Sequence, residues 1–138
     1  MHGTFYSSFH FYPGDGIVAI SDLPPDIVSG TAAAVVSHQM ETLYAVELST
    51  GELYRWFAGF ELQGVQPKQN GDFQLGDFAF TVTDKGHPPL IKIGMPVRII
   101  KVLPHTHFYD LLLEDGKYRR WLADFEVTFP IRHTSYSV

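Results

Sequence analysis

The chain has no cysteine, so disulfides, thiolate metal sites and cysteine nucleophiles are all excluded. Charge is sparse: Asp, Glu, Lys and Arg make up 18% of 138 residues, and 15 acidic against 10 basic side chains leave a net charge of −5. A general binder of phosphate backbones normally carries the opposite balance. No apolar run approaches the roughly 18 residues that span a bilayer. The opening MHGTFYSSFHFYPGDG has no basic stretch leading into an apolar one, and its Gly3 follows His2, against the myristoylation pattern. These absences predict a cytoplasmic protein that does not engage membranes. Missing too are a G-x-S-x-G elbow, a glycine loop with lysine for phosphate, and H-E-x-x-H, so catalysis has little support and no cofactor is expected. What is present is apolar and aromatic: 45% hydrophobic residues and 14% aromatic, with eleven Phe and seven Tyr. That is the composition of a folded chain leaning towards β-structure.

The most informative feature is a repeat. YRWFAGFEL at 54–62 returns as YRRWLADFEV at 118–127, and a shift of 65 positions leaves eight of the 20 residues from Leu43 to Leu62 identical. Upstream, with small gaps, Gly14-Asp15 lies over Gly76-Asp77, Pro24-Pro25 over Pro88-Pro89 and Gly30 over Gly94. Between the units runs GVQPKQNGDFQ, a turn-rich stretch. The expected organisation is a first unit over 1–63 with an N-terminal extension, a linker over 64–74, and a second unit over 75–138.

Within each unit apolar residues alternate, as in Tyr44, Val46, Leu48 and Tyr109, Leu111, Leu113, which predicts half-buried strands. STGE and EDGK supply hairpin turns with Gly51 and Gly116 at positions wanting positive φ. Each unit reads as a strand after Gly-Asp, a proline-bearing loop, a second strand, a hairpin carrying a tryptophan, and a short last strand, FEL or FEV. The cadence of Gly14-Asp15, Gly30, Tyr44 to Leu48, Gly51 and Phe60-Glu61-Leu62 resembles the SH3-like small-barrel superfamily, which includes Tudor and KOW domains. The resemblance implies an all-β protein of two tandem five-stranded small barrels packed on each other, and recognition ahead of catalysis.

Trp56 and Trp121 are expected to fill the core, with a wall of an aromatic pocket beside Tyr44, Tyr54, Tyr109 or Tyr118 as the competing role. Arg55 with Glu61, and Arg120 with Glu126, recur in step and read as structural ion pairs within each unit. His105 and His107 in PHTHF fall two apart and could share a strand face, but with His87, Asp84 and Asp110 they match no metal-ligand spacing, so no metal site is expected. The N-terminal FYSSFHFY reads as an extra strand sealing the first barrel.

Asymmetry between the units directs the functional reading. Lys85, His87, Lys92, Arg98, Lys101, His105, His107, Lys117, Arg119 and Arg120 all lie in the second, against the bland TAAAVVS of the first. Such bipolarity could steer an acidic partner. The expectation is a non-catalytic adaptor or regulator whose protein or peptide partner meets the second unit through Phe108, Tyr118, Arg119, Arg120, Ile91, His105 and His107. Single-stranded nucleic acid on the same basic and aromatic face, centred on KYRRW, is the alternative. A small enzyme or metal-binding protein is a more distant third.

Overall fold

The computed structural model of the protein describes residues 10–65 and 72–130. Among the described residues eight strands form: β1 Gly16–Ala19, β2 Ala32–Leu48, β3 Leu53–Ala58, β4 Leu62–Gly64, β5 Phe78–Thr81, β6 Pro96–Leu113, β7 Tyr118–Ala123 and β8 Val127–Thr128. A 3-10 turn, Gly59–Glu61, separates β3 from β4, and another, Asp124–Glu126, separates β7 from β8. Both therefore occupy the FE of the expected last strands, because Glu61 and Glu126 fold back to accept the amides of Ala58 and Ala123 (3.0 and 2.9 Å). The expected N-terminal strand over FYSSFHFY falls largely outside the described residues, as does the segment 66–71 between the units.

All strands pair antiparallel in one sheet, ordered β4-β5-β6-β2-β1-β8, with β3 added to β2 and β7 to β6. Two barrels are not what forms. The sheet is open, and its centre is the pairing of β2 with β6, which runs from Ala33 opposite Leu113 to Leu48 opposite Val97. Each of these strands of 17 and 18 residues fuses the second and third strands expected of its unit. The fusion passes SHQMET and LPHTH by irregularities in register, between Val35 and Ser37 and between Glu41 and Leu43. Pro104, which cannot donate to a ladder, is skipped at the second of these, and His105 beside it turns to φ +51°.

The order reads the same from either end once β1 is exchanged for β5, β2 for β6 and β4 for β8. The outer strands cross over: β4 pairs with β5, and β8 with β1. Each half thus completes its sheet with a strand from the other. The packing follows. One core cluster brings Ile17, Leu23, Leu43 and Trp56 together with Phe108, Tyr109, Trp121 and Val127, and the other brings Tyr44, Tyr54 and Phe57 together with Phe73, Ile91 and Ile99. Among the described residues no helix is long and apolar enough to cross a membrane.

Candidate functional site

Both tryptophans are buried, and each indole donates to a carboxylate of the opposite half: Trp56 to Glu126 at 2.7 Å, Trp121 to Glu61 at 2.5 Å. The arginines follow them. Arg55 lies 3.1 Å from Glu126 and Arg120 3.3 Å from Glu61. The ion pairs expected within each unit are therefore exchanged between units, because each 3-10 turn leads into a strand that pairs with the other half. The peptide bonds Arg55–Trp56 and Arg120–Trp121 are both cis.

Around this repeated frame the halves differ. At the alignment positions of Leu23, Ala45 and Tyr54, the second half carries His87, Asp110 and Arg119. Glu61 consequently accepts four donors: Ala58 N and Trp121 Nε1 on one oxygen, His87 Nε2 (2.9 Å) and Arg120 Nη1 on the other. Tyr54 Oη lies 2.6 Å from His87 Nδ1, a geometry that suits Tyr54 donating to His87 and His87 donating to Glu61. Burial alone would raise the Glu61 carboxyl, but the hydrogen bonds from His87, Trp121 and Ala58 outweigh it and hold the group below its ordinary value. The side chains of His87 and Glu61 are fully enclosed, so this pair organises the site and does not face solvent.

Over the buried group opens a cleft of about 790 Å³ between the Lys85–Pro89 loop and the end of the β6–β7 hairpin. Asp110 and Arg120 form its floor, and Asp26, Lys85, Lys117 and Tyr118 stand around it. The Arg120 amide donates to Gly86 O (2.6 Å), clamping loop to strand. Gly86 has φ +76°, and a Cβ there would stand 2.7 Å from Arg120 Cγ, so the clamp requires glycine. Arg120 Nε sits 3.8 Å from Asp110 Oδ2, and its guanidinium lies 4.7 Å from the Trp121 ring centre. Asp110 Oδ1 is buried and has no hydrogen-bond partner among the described residues. Desolvation pushes the Asp110 carboxyl up, against the opposing charges of Arg120 and Lys85. The counterpart cleft beside Trp56 is smaller, about 450 Å³, and has Ala45 and Leu53 where this one has Asp110 and Tyr118.

The residues expected to bind a partner are not gathered on one surface. Tyr118 is 58% exposed at the cleft rim and Arg120 reaches the floor. Phe108 and Ile91 are core residues, Phe108 lying edge-on to Trp121 at 4.7 Å. Arg119, expected outside, is 1% exposed: its Nε donates to Asp26 (2.8 and 3.0 Å), its Nη1 to Arg120 O, and its guanidinium lies over the Tyr54 ring. Arg119 takes a buried position of β7 in step with Trp121, and Asp26 from the other half supplies its carboxylate. His105 is exposed at its bend, whereas His107 turns inward to His10 and His38, so the two do not share a face. No group of His, Asp or Glu among the described residues is disposed to hold a metal ion. Asp110 at the floor and the enclosed His87 beneath it were not anticipated in these places. Their signal was the substitution of polar for apolar residues between aligned copies.

Fold and site together define an all-β protein built on one open antiparallel sheet with a cleft floored by Asp110 and Arg120. No protein-family pattern and no curated protein sequence matches the chain. Solved structures do. A crystal structure of a DUF1541 family protein, ydhK of Bacillus subtilis, shares 16% identity over 89% of this chain and 87% of that one, with a TM-score of 0.61. A second crystal structure of ydhK gives 17%, 85%, 98% and 0.58, and the solution structure of the ydhK C-terminal domain 17%, 86%, 93% and 0.61. These likenesses establish the fold and replace the expected kinship with SH3-like barrels. The short cadence on which that kinship rested sets strand order without setting which strand pairs with which.

Proposed function

We propose that the protein is a non-catalytic binding protein whose partner is a protein or peptide segment seated in the cleft over Asp110 and Arg120. The observation that carries this reading is Asp110 Oδ1, a buried acceptor with no partner among the described residues. Buried polar groups are paired in the great majority of cases, and one left open at the floor of a cleft fits a donor brought by a ligand. A backbone amide, hydroxyl or amide side chain would serve. Exposed Tyr118 supplies an aromatic anchor at the rim, and exposed Lys85 and Lys117 beside it favour an acidic flank on the partner. The nucleic-acid alternative keeps these lysines but loses Arg119 to Asp26 and Arg120 to Glu61. The same reading takes the halves as copies of one ancestral unit, supported by their shared residues and matching registers, and keeps a cytoplasmic setting, which the absence of cysteine suits.

The test replaces Tyr118 with a photo-crosslinking residue in the full chain, expressed in its source cells, and compares capture with and without nuclease. A protein adduct that survives nuclease and is lost on Asp110→Ala is the expected result. Capture that disappears with nuclease assigns the face to nucleic acid. A protein adduct indifferent to Asp110→Ala removes the cleft floor from the site.

A further inference from the structure

We infer that His10, Phe11 and Tyr12 form a strap across the middle of the sheet that acidification opens, with the imidazoles of His38 and His107, on which His10 stacks, as the switch. The strap is held by ring contacts. Phe11 is buried, its ring edge-on to Tyr109 at 5.6 Å and to Phe129 at 4.7 Å, and its amide donates to Tyr109 Oη at 3.2 Å. His10 stacks on His107 with ring centres 3.6 Å apart and planes 22° from parallel. His107 Nδ1 lies 2.7 Å from His38 Nε2 across the β2–β6 pairing, and His38 stacks in turn on Tyr109 at 5.3 Å. Such a hydrogen bond needs one nitrogen protonated and the other bare, which two neutral rings provide. A further proton destroys the acceptor and places cations in a stack of three imidazoles.

The groups facing the stack offer little compensation. Asp124, in its 3-10 turn, comes to 3.8 Å from His10, but its Oδ1 already accepts from Tyr109 Oη at 2.6 Å. Tyr12 lies edge-on to His38 at 5.9 Å, and Asp15 accepts the Tyr12 amide. One carboxylate therefore meets three imidazoles. Burial, then His107 and His10, hold His38 below its ordinary value, and burial, then His10, do the same for His107, with Asp124 opposing both. Opening the strap takes His10 away from both rings, so His38 and His107 bind fewer protons when it is closed. Closure is thus fully favoured above about pH 6.5, the free histidine value, and weakens as pH falls from there through the lowered values.

The other half supplies a control within the molecule. Phe73 N donates to Tyr44 Oη at 3.1 Å with the rings edge-on at 5.5 Å, and Gln74 N donates to Asp77 as Tyr12 N does to Asp15. Yet Asp72 precedes Phe73 where His10 precedes Phe11, and Val102 faces Tyr44 across the sheet where His38 faces Tyr109. The architecture is the same without those imidazoles.

Hydrogen exchange of the Phe11 and Phe73 amides, corrected for intrinsic rates, tests the switch between pH 7.5 and 5 in the full chain. Phe11 protection is expected to fall about tenfold while Phe73 protection holds. His38→Gln combined with His107→Asn, which keeps polar side chains without a titrating ring, should leave Phe11 protected down to pH 5. His10→Phe, which keeps a stacking ring, should move the opening to lower pH and decides the matter where the double variant does not fold. Phe11 protection unchanged at pH 5, simultaneous loss at Phe11 and Phe73, or an unshifted opening in either folded variant overturns the proposal.

Discussion

Glu61 is fully buried beneath the cleft and accepts from four donors. Removing one partner of a buried ionic group leaves the others desolvated and unpaired, at a cost of about 3 to 5 kcal/mol. Glu61→Ala should therefore lower unfolding free energy by that amount in chemical denaturation, and a loss under about 1 kcal/mol would mean that the four donors find other acceptors. The carboxyl is held below its ordinary value, so its contribution is present above about pH 4.5 and is lost as pH falls through the depressed folded value. Stability measured from pH 7 down to pH 3 should decline less steeply in Glu61→Gln than in wild type, since the amide does not titrate. Recurrence of Arg, Trp and Glu was legible in the sequence; their partners were not. Two copies of the same triplet look identical whether Arg55 meets Glu61 or Glu126, and only the crossing of β4 and β8 decides it. Burial of Arg119 was illegible for a like reason, since Asp26 reaches it from 93 positions away.

At the scale of elements, hairpins and short strands were readable because they rest on local chemistry: glycine at positive φ, and alternation of apolar side chains. The fusion of two expected strands into β2 and into β6 was not, since SHQMET and LPHTH have the polar and proline content of loops. What keeps them in the sheet is the opposite strand, which pairs on both sides of each irregularity. The Lys85–Pro89 loop gives an element-scale test. Gly86→Ala meets both a positive φ and the Arg120 side chain, whereas Gly116→Ala, at φ +87° with nothing within 4 Å, meets the backbone penalty alone. Residues forced into such conformations cost on the order of 1 to 3 kcal/mol. Gly86→Ala should destabilise more than Gly116→Ala and should shift the Trp121 indole resonance, because Arg120 packs on both Gly86 and that ring. Equal losses with an unmoved indole signal would show that Arg120 is free to step aside.

For the whole molecule, the consequence of the crossed outer strands is that neither half contains the whole of its sheet. The first half lacks β8 for the edge of β1, and its buried Trp56 finds its acceptor only on Glu126; the second lacks β4 and Glu61 in the same way. Units of about 60 residues are marginal even when complete, burying only about 60% of their unfolded surface. The repeat in the sequence predicts two units of that size. It could not show that they share one sheet, because the order of strands along the chain is the same for two closed barrels as for one exchanged sheet. The two arrangements differ in how the chain responds to cutting. Fragments 1–65 and 72–138 should each lack amide chemical-shift dispersion alone and recover the spectrum of the intact chain when mixed, and the intact chain should unfold in one transition. A dispersed spectrum from fragment 1–65 alone would mean that its strands close on themselves. Glu126 would then be dispensable to Trp56, and the exchange of carboxylates between halves would be a consequence of proximity instead of the contact that joins them.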